Sequence, residues 1–233
     1  YDVKTSIHAF VHITEGKVHD VNALDVLSYE PDGFYIMDKA YVDFKRLFTI
    51  NISLAYYVTR AKENFNFKRI SSVKSDKTNG IICDQIVKLK GVKSSSFYPV
   101  ALRRIKYFDK EQQRTFVFLT NNFTQSAVDI AMLYKYRWKV ELFFKWIKQH
   151  LKIKSFWGTS MNAVKTQVYI AIITYTLVAV IKSKLKINRS TYEMLQIMSA
   201  SLFDKTHLNE LLKSPVYKNV KEQKCKQLKI ELI

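Results

Sequence analysis

A run of charged and aromatic residues between positions 134 and 148 combines one carboxylate with several cations. At about 100° per residue, a helix would place Tyr134, Arg137, Glu141, Lys145 and Lys148 on one narrow stripe. A separate stripe of the same helix is apolar, so the helix is expected to pack on a core and to present its carboxylate among the cations. Periodicity alone favours a simpler alternative, an exposed face in which Glu141 and Lys145 form a surface ion pair of roughly 0.2–0.5 kcal/mol.

A second carboxylate follows a short apolar run upstream of this helix. The run Phe34 to Met37 predicts a buried strand, and Asp38 lies at its C-terminal end. A helix cap or turn residue after the strand is the alternative role for Asp38. Asp43 is a nearby competitor, but it lies five residues beyond the strand end.

The charge balance indicates a polyanionic partner. Lys and Arg number 38 against 20 Asp and Glu, a formal net charge of +18, which repels itself in a compact chain. Nucleic acid is the leading candidate, ahead of a merely basic soluble protein or a membrane-surface protein. Cys83 and Cys225 lie far apart without metal-ligand spacing, which suits a reducing, cytoplasmic location. The apolar run at 168–181 is too short to span a bilayer and predicts a buried helix, so no membrane partner is expected.

Hydrophobic patterning predicts a mixed α/β chain. The predicted strands are Ile7–Thr14, Phe34–Met37, Ala55–Thr59, Ile81–Leu89, Val100–Tyr107 and Thr115–Leu119, with a hairpin-type turn at Asn79-Gly80. The predicted helices are one from Asp20 as N-cap to Leu27, a long one from Thr124 as N-cap to about Lys152, and two at Asn162–Lys182 and Thr191–Leu202. Residues 48–119 show no long helical pattern, so they predict a β-rich insertion.

The spacing of four residues in the predicted long helix resembles a known signature. Tyr134, Arg137, Glu141 and Lys148 match Y-x2-R-x3-E-x6-K at every position, which resembles the insertion-sequence-four family of bacterial DDE transposases. Three other segments are also similar to segments of that family. They are Met37–Asp43, which resembles the stretch around the family's second aspartate, the Gly16–Asp20 turn and the Val117–Asn121 strand end. The resemblance covers nearly the whole chain and weakens after about Asn188.

The resemblance implies an α/β fold with a ribonuclease-H-like core, interrupted by a β-rich insertion and followed by C-terminal helices. The expected division is 1–47 for the first part of the core, 48–119 for the inserted subdomain, 120–182 for the second part with the signature helix, and 183–233 for a C-terminal helical segment with a basic tail. The family's first catalytic aspartate is expected upstream of Tyr1, and Asp2 is not a substitute for it. The 233-residue chain alone is therefore expected to be inactive.

The resemblance also implies roles for individual residues. Asp38 and Glu141 would be the second and third acids of the catalytic triad and ligands of a two-metal Mg²⁺ site, with Mn²⁺ as a substitute. Arg137 and Lys148 would bind phosphates, and Tyr134 would add a hydrogen bond or a stacking surface.

Three further residues are weaker candidates for contacts with DNA. Arg60 and Lys62 follow a predicted strand, and a solvated loop position is the alternative for both. Trp138 could stack on an extruded base, with core packing as its alternative.

The implied function is cut-and-paste DNA transposition, with metal-dependent phosphodiester hydrolysis and strand transfer at transposon ends. The implied partners are the double-stranded DNA of ends and target, and a second copy of the chain in a synaptic homodimer. Two alternatives stay open: a non-catalytic DNA-binding remnant of a transposase, and a nuclease with the ribonuclease-H fold that lacks strand transfer.

Overall fold

The protein is a mixed α/β chain built around one six-stranded sheet. The computed structural model describes residues 1–2, 7–74, 79–151, 153 and 155–213. The strands are β1 (Phe34–Met37), β2 (Tyr56–Arg60), β3 (Phe67–Val73), β4 (Ile81–Leu89), β5 (Leu102–Asp109) and β6 (Arg114–Thr120). The helices are α1 (Phe44–Ile52), α2 (Val92–Phe97), α3 (Ala127–Lys135), α4 (Trp138–His150), α5 (Met161–Leu185), α6 (Thr191–Ala200) and α7 (Leu208–Leu212). Short 3-10 helices span Asp20–Asp25 and Lys39–Tyr41.

The strand order of the sheet is β1-β2-β6-β5-β4-β3. β1 and β2 are parallel and are joined by a crossover that contains α1, as a parallel pair requires. All other neighbours in the sheet are antiparallel. Because Met37 pairs with Thr59, Asp38, which follows β1, and Arg60, the last residue of β2, lie side by side at the carboxyl ends of the two parallel strands.

The strands of residues 48–119 extend the sheet that contains β1. β6 pairs with β2 through Val58 and Thr120, so hydrogen bonding runs without interruption from β1 to β3. The predicted β-rich subdomain is therefore not a separate sheet. Its predicted boundary at 47/48 also falls inside α1, which begins after the N-cap Asp43, whose side chain accepts a hydrogen bond from the amide of Arg46.

Apolar side chains cover both faces of this sheet. One face forms a core with α1 and with Tyr98 at the end of α2, and the other face packs against α3. The fully buried side chains of the first core include Leu47, Ile50, Tyr57, Leu102 and Leu119. Those of the second include Val58, Ile81, Ile105, Phe118 and Ile130. Residues on β2, β5 and β6 alternate between the two cores, as the period of two in a strand dictates.

A buried ion pair connects the sheet to the loop that precedes α3. Arg103 donates from Nε to Asp84 Oδ1 at 2.9 Å and from Nη2 to Asp84 Oδ2 at 2.6 Å. The Arg103 and Asp84 side chains are only 6% and 3% exposed. Arg103 Nη1 also donates to the carbonyls of Asn122 and Gln125, at 3.3 and 2.6 Å. One guanidinium therefore joins β4 and β5 to the start of the segment that leads to α3.

The side chain of Asn121 holds the end of β2 beside the end of β6. Its Oδ1 accepts a hydrogen bond from the Tyr57 amide at 2.9 Å, and its Nδ2 donates to the Ala55 carbonyl at 2.8 Å. Nδ2 also donates to Asn51 Oδ1 at 3.0 Å, which adds α1 to the same junction. These bonds satisfy backbone groups where the ladder ends.

The N-terminal segment differs from its prediction. Residues 7–14 form no strand, because none of the six strands of the described chain pairs with them, and alternation alone does not supply a partner. The Glu15-Gly16 turn is confirmed by the hydrogen bond from the Val18 amide to the Glu15 carbonyl. The helix predicted from Asp20 is a 3-10 helix that starts one residue earlier than the predicted cap implies, with His19 at its N-cap.

The predicted long helix from Thr124 is two helices. Ser126, and not Thr124, caps α3 by accepting from the Asp129 amide, and α3 ends at Lys135. Bonds between residues three apart tighten the chain at Tyr136 and Arg137 before α4 begins. Lys152, the predicted end of the helix, lies outside the described residues, and α4 ends at His150.

The strands and the later helices of the prediction are largely confirmed. β4 has the predicted bounds, and β1, β2, β5, β6, α5 and α6 lie within three residues of theirs. β3, α1 and α2 were not predicted. Gly80 has a positive φ of 83°, as a turn glycine allows, but β3 and β4 are separated by seven residues, of which 75–78 lie outside the described residues.

The chain divides into two compact units, residues 1–167 and 168–233. The predicted domain boundary at 182/183 stays a prediction. The second unit has its own small core of Val178, Ile187, Met194 and Leu212. α5 has 25 residues, of which only Ala171, Ile172 and Val178 are buried, so the prediction that the apolar run at 168–181 forms a buried helix is wrong. By length and composition alone, this helix would be able to cross a membrane.

We expect the buried ion pair to be the most sensitive polar contact of the sheet. Asp84→Ala leaves the Arg103 charge buried without its carboxylate, so the free energy of unfolding should fall by about 3–5 kcal/mol. Urea denaturation measures this loss. Glu111→Ala is the matched control, because Glu111 pairs with Lys135 at the surface and is 83% exposed, and its removal should cost no more than about 1 kcal/mol. Equal losses in the two variants would contradict the assignment.

Candidate active site

Asp38 lies directly after β1, as predicted, and its two carboxylate oxygens have different partners. Oδ1 accepts a hydrogen bond from the Ala40 amide at 3.3 Å, which makes Asp38 the N-cap of the following 3-10 helix. Oδ2 accepts from Arg60 Nη2 at 2.9 Å and lies 3.7 Å from Arg137 Nε. The capping role and the charged role that were considered for Asp38 are therefore both present, on different oxygens.

Glu141 lies in the first turn of α4 and is paired with the same arginine. Arg137 Nη1 donates to Glu141 Oε1 at 2.5 Å, one helical turn away. The two predicted acids thus lie on either side of one guanidinium. Arg137 can reach both because it occupies the turn between α3 and α4, at the N-cap of α4.

The ring of Tyr134 contacts both Arg60 and Arg137. Its ring is 7% exposed and packs on Phe118 with a centroid separation of 4.8 Å. The Cζ atoms of Arg60 and Arg137 lie 5.9 and 5.7 Å from the Tyr134 ring centroid, within the range of cation–π attraction. Tyr134 therefore holds the arginines in position with its ring face, although it lies on α3 and not on the helix of Glu141.

The electrostatics of the site favour ionised groups. Burial raises the pKa of Asp38, but Arg60, the Ala40 amide and Arg137 together outweigh it and hold the pKa below its ordinary value. Burial lowers the pKa of Arg137, and its hydrogen bond to Glu141 and the nearby Tyr134 and Asp38 reverse this, so that the pKa is raised. The Asp38 carboxylate and the Arg137 guanidinium are thus both stabilised in charged form.

The other predicted contact residues surround this group at different distances. Lys62 Nζ donates to the Val42 carbonyl at 3.0 Å, next to the Asp38 segment. Lys148 is exposed on α4 and borders the same open surface groove as Glu141 and Lys145. Trp138 is 56% exposed, so it is not a core residue.

An aromatic cavity of about 500 Å³ adjoins the arginines. Trp138, Arg60 and Arg137 contribute to its lining, together with residues that the sequence did not single out. These residues are Tyr107, Asp109, Gln112, Arg114, Phe116, Phe118, Ala131 and Lys135. Their alternation along β5 and β6 predicted the strands, but it carried no signal for which face would form a cavity beside Asp38.

The residues present supply part of a metal site. Carboxylate oxygens are the ligands that Mg²⁺ takes, and Asp38 and Glu141 are brought together by Arg137. No group of three or more His, Cys, Asp or Glu in the described ranges is arranged to hold a metal ion. The pair therefore fits a divalent cation in ligand chemistry but is not by itself a complete two-metal centre.

These features define a class of protein. A basic α/β domain that presents two acids, two arginines and an aromatic cavity at one sheet edge is suited to act on a polyanion such as nucleic acid. Comparison with known families agrees: residues 1–177 match the family described as "Transposase DDE domain". The chain belongs to this family of transposase DDE domains.

Named relatives carry the same description. The chain is 34% identical over 222 residues to "Putative transposase y4zB" of Sinorhizobium fredii, which covers 92% of the chain and 61% of the relative. It is 31% identical over 190 residues to "Probable transposase for insertion sequence element IS5377" of Geobacillus stearothermophilus, which covers 76% of the chain and 46% of the relative. The chain thus spans about three fifths and about half of the length of these curated relatives.

The charge of Arg60 should be visible in the titration of Asp38. Arg60→Gln removes an attractive charge and a hydrogen bond, so the pKa of Asp38 should rise. Carboxyl ¹³C shifts followed by NMR against pH measure this change. A lowered folded-state pKa stabilises the fold above the unfolded value of about 3.9, and this contribution is lost as the pH falls through the folded-state pKa. Arg60→Gln should therefore reduce that contribution.

Lys68→Gln is the control for this titration. It removes one positive charge from β3, where Lys68 is exposed and pairs with Lys88 across the sheet. The Asp38 titration should stay where it is in the parent protein. An unchanged titration in Arg60→Gln would show that Arg60 does not hold Asp38 in solution.

Proposed function

We propose that this chain is the catalytic part of a cut-and-paste DNA transposase of the insertion-sequence-four type. The observation that carries the proposal is the bridge of Arg137 between Asp38 and Glu141. Two acids that are 103 positions apart in the sequence meet at one guanidinium, and three of the four signature residues, Tyr134, Arg137 and Glu141, take part in the same cluster.

The arrangement of β1, α1 and β2 supports a ribonuclease-H-like core. A parallel strand pair ends in an acidic residue, and helices pack on both faces of the sheet. In open α/β sheets, ligands bind beyond the carboxyl ends of parallel strands. Asp38 occupies that position at the end of β1.

Asp38 and Glu141 would bind the divalent cations, Mg²⁺ with Mn²⁺ as a substitute, on which the proposed chemistry depends. Such ions activate the attacking oxygen and stabilise the leaving oxygen of a phosphodiester. The chain's own contribution is to keep Asp38 ionised and to hold both acids in place. Arg60 and Arg137 provide this, because they lower the pKa of Asp38 and are themselves fixed over Tyr134.

Contacts with double-stranded DNA would surround these acids. Arg137 can form two parallel hydrogen bonds to a phosphate, whereas Lys62 and Lys148 act as point charges. Trp138 at the mouth of the aromatic cavity offers a surface on which a base could stack. Two copies of the protein would hold paired transposon ends, as the proposed function requires.

Two conservative substitutions test the catalytic proposal. Asp38→Asn and Glu141→Gln keep side-chain shape but lose the charge that neutralises divalent cations, so each should lower excision of the element by at least about 100-fold. The assay uses the natural gene with any coding sequence upstream of Tyr1, together with its flanking DNA on a plasmid, because the 233-residue chain alone is expected to be inactive. It counts excision and reinsertion in cells. Excision without reinsertion in the parent would favour a nuclease of the same fold.

Asp43→Asn is the matched control for this assay. Asp43 is an acid five positions from Asp38, and it caps α1 and pairs with Arg46. An amide can still cap the helix, so excision should stay within about threefold of the parent, as a loss of about 0.5 kcal/mol allows. Parental excision by Glu141→Gln would remove the central residue of the proposal and leave Glu141 as a partner in a surface ion pair.

Phosphate binding should be detectable as salt dependence. Replacement of Lys148 by Ala should weaken binding to duplex DNA of any sequence and lower the slope of log K against log salt by about 0.9 for each phosphate that the lysine neutralises. Fluorescence anisotropy between about 50 and 200 mM salt measures this slope. Lys165→Ala in α5 is a control with the same charge change. An affinity that hardly varies with salt would contradict binding through phosphates.

A further inference from the structure

A second cavity, of about 420 Å³, shares Arg60 and Arg114 with the aromatic cavity, and five of its twelve lining residues are cations. The positively charged residues of its lining are Lys39, Arg60, Lys62, Arg104 and Arg114. Glu63 is the one acid among its lining residues. Within the described part of the chain, Arg60 alone among these cations has a carboxylate within 4 Å. Five cations that face one space with a single acid among them repel one another and favour an anionic ligand.

Arg104 is held in place with hydrogen-bonding capacity left over. Its Nη1 donates to Gln85 Oε1 at 2.9 Å and lies 3.4 Å from Cys83 Sγ. Its guanidinium carbon lies 4.9 Å from the centroid of the Phe67 ring. Its Nε is buried and has no hydrogen-bond partner in the part of the chain that the structure describes. A guanidinium that is fixed at one edge and lines a cavity is suited to bind an oxyanion.

Aromatic rings form the walls between the cations. Phe65 and Phe67 stack on each other with a centroid separation of 5.1 Å, and Arg114 lies over the Phe116 ring at 5.5 Å. Arg114 is exposed at the start of β6 and lines both cavities. A ring face attracts a guanidinium while it leaves the N–H donors at the edge free to bind a ligand.

We propose that this cavity binds backbone phosphates of the DNA strand that passes Asp38, with Arg104 and Arg114 as contact residues. The proposal rests on the proposed action on DNA and adds to it a defined path for the strand. Since Arg60 and Arg114 line both cavities, a strand beside Asp38 can place phosphates in the cationic cavity and a base in the aromatic one. The distribution of five cations around one cavity fits several phosphates better than one small anion.

The double variant Arg104→Gln with Arg114→Gln tests the proposal. Its affinity for a short labelled DNA duplex should fall at least tenfold, and the slope of log K against log salt should fall by about 1.8, that is, about 0.9 for each of two phosphates. Fluorescence anisotropy across a salt series gives both quantities. Thermal unfolding confirms that the variant is folded at the temperature of the assay.

Lys68→Gln with Lys88→Gln is the matched control. These lysines are exposed and pair with each other in β3 and β4. Because neighbouring side chains in a strand point to opposite faces, Lys68 lies on the face opposite to Phe67 and to the cavity. The control removes the same charge from the same sheet, and its slope should stay within about 0.4 of the parent, less than half of the effect of one phosphate. Equal losses of affinity in the two double variants would show that net charge, and not this cavity, governs binding, and would overturn the proposal.

The single variant Arg114→Gln keeps the test decisive if the double variant does not fold. Arg114 is exposed, and its salt slope should fall by about 0.9. A parental slope in Arg114→Gln would overturn its role as a contact residue.

The excision assay of Asp38→Asn, compared with the binding assay of the arginine variants, separates this proposal from the proposed catalysis. DNA binding that depends on Arg104 and Arg114, together with parental excision by Asp38→Asn, would remove the catalytic proposal and leave the DNA path in place. Excision that requires Asp38, together with no effect of the arginine variants on binding, would do the reverse.

Discussion

The position of β2 between a parallel and an antiparallel neighbour is the constraint on which the rest of the structure depends. On one side, its parallel pairing with β1 brings Asp38 and Arg60 to the same edge of the sheet. On the other side, its antiparallel pairing with β6 joins the first strand to the long β3–β6 ladder. Asn121 stabilises this junction, because its side chain forms hydrogen bonds with the Tyr57 amide and the Ala55 carbonyl where the β2–β6 ladder ends. The position of the site and the continuity of the sheet therefore both depend on the pairing of β2 with β1 and β6.

The chain has a net charge of +18, and the two acids of the site are each paired with arginine side chains. Asp38 and Glu141 would repel each other in close proximity, and Arg137 between them converts this repulsion into two attractions. Tyr134 contributes a ring face to both arginines, which lowers the cost of holding two cations side by side. Under the proposed function, cations would neutralise the acids, and the same guanidiniums would bind a phosphate in place of these ion pairs.

The sequence predicted most elements of the sheet, and it predicted the position of Asp38 after β1 but not the contacts that Asp38 makes. β4 was predicted to the residue because its flanking turn and apolar pattern are local signals, and Asp38 was placed correctly since it follows a short apolar run. The union of all strands in one sheet was missed, because pairing between β2 and β6 depends on residues more than 55 positions apart. The partnership of Arg60 with Asp38 was missed for the same reason: it follows from the register of β1 and β2, which no local pattern contains. The segment 7–14 is the opposite case. Its apolar and polar residues alternate as in a strand, but none of the six strands of the described residues pairs with it, and it forms no strand.

The break between α3 and α4 is the feature that gives the signature spacing its geometric meaning. In one continuous helix, Tyr134, Arg137 and Glu141 would form a single stripe, and all three would face the same neighbour. Because the chain turns at Tyr136 and Arg137, Tyr134 at the end of α3 is buried against Phe118 of β6. Glu141, on α4, is exposed. Arg137 lies at the corner, so it can extend toward Asp38 and Glu141 together. The buried pair of Arg103 and Asp84 also influences the position of Arg137, because Arg103 holds the loop that leads into α3 through the Gln125 carbonyl. A substitution that loosened that loop would change the angle at which α3 approaches the sheet, and with it the distance across which one guanidinium must join two carboxylates.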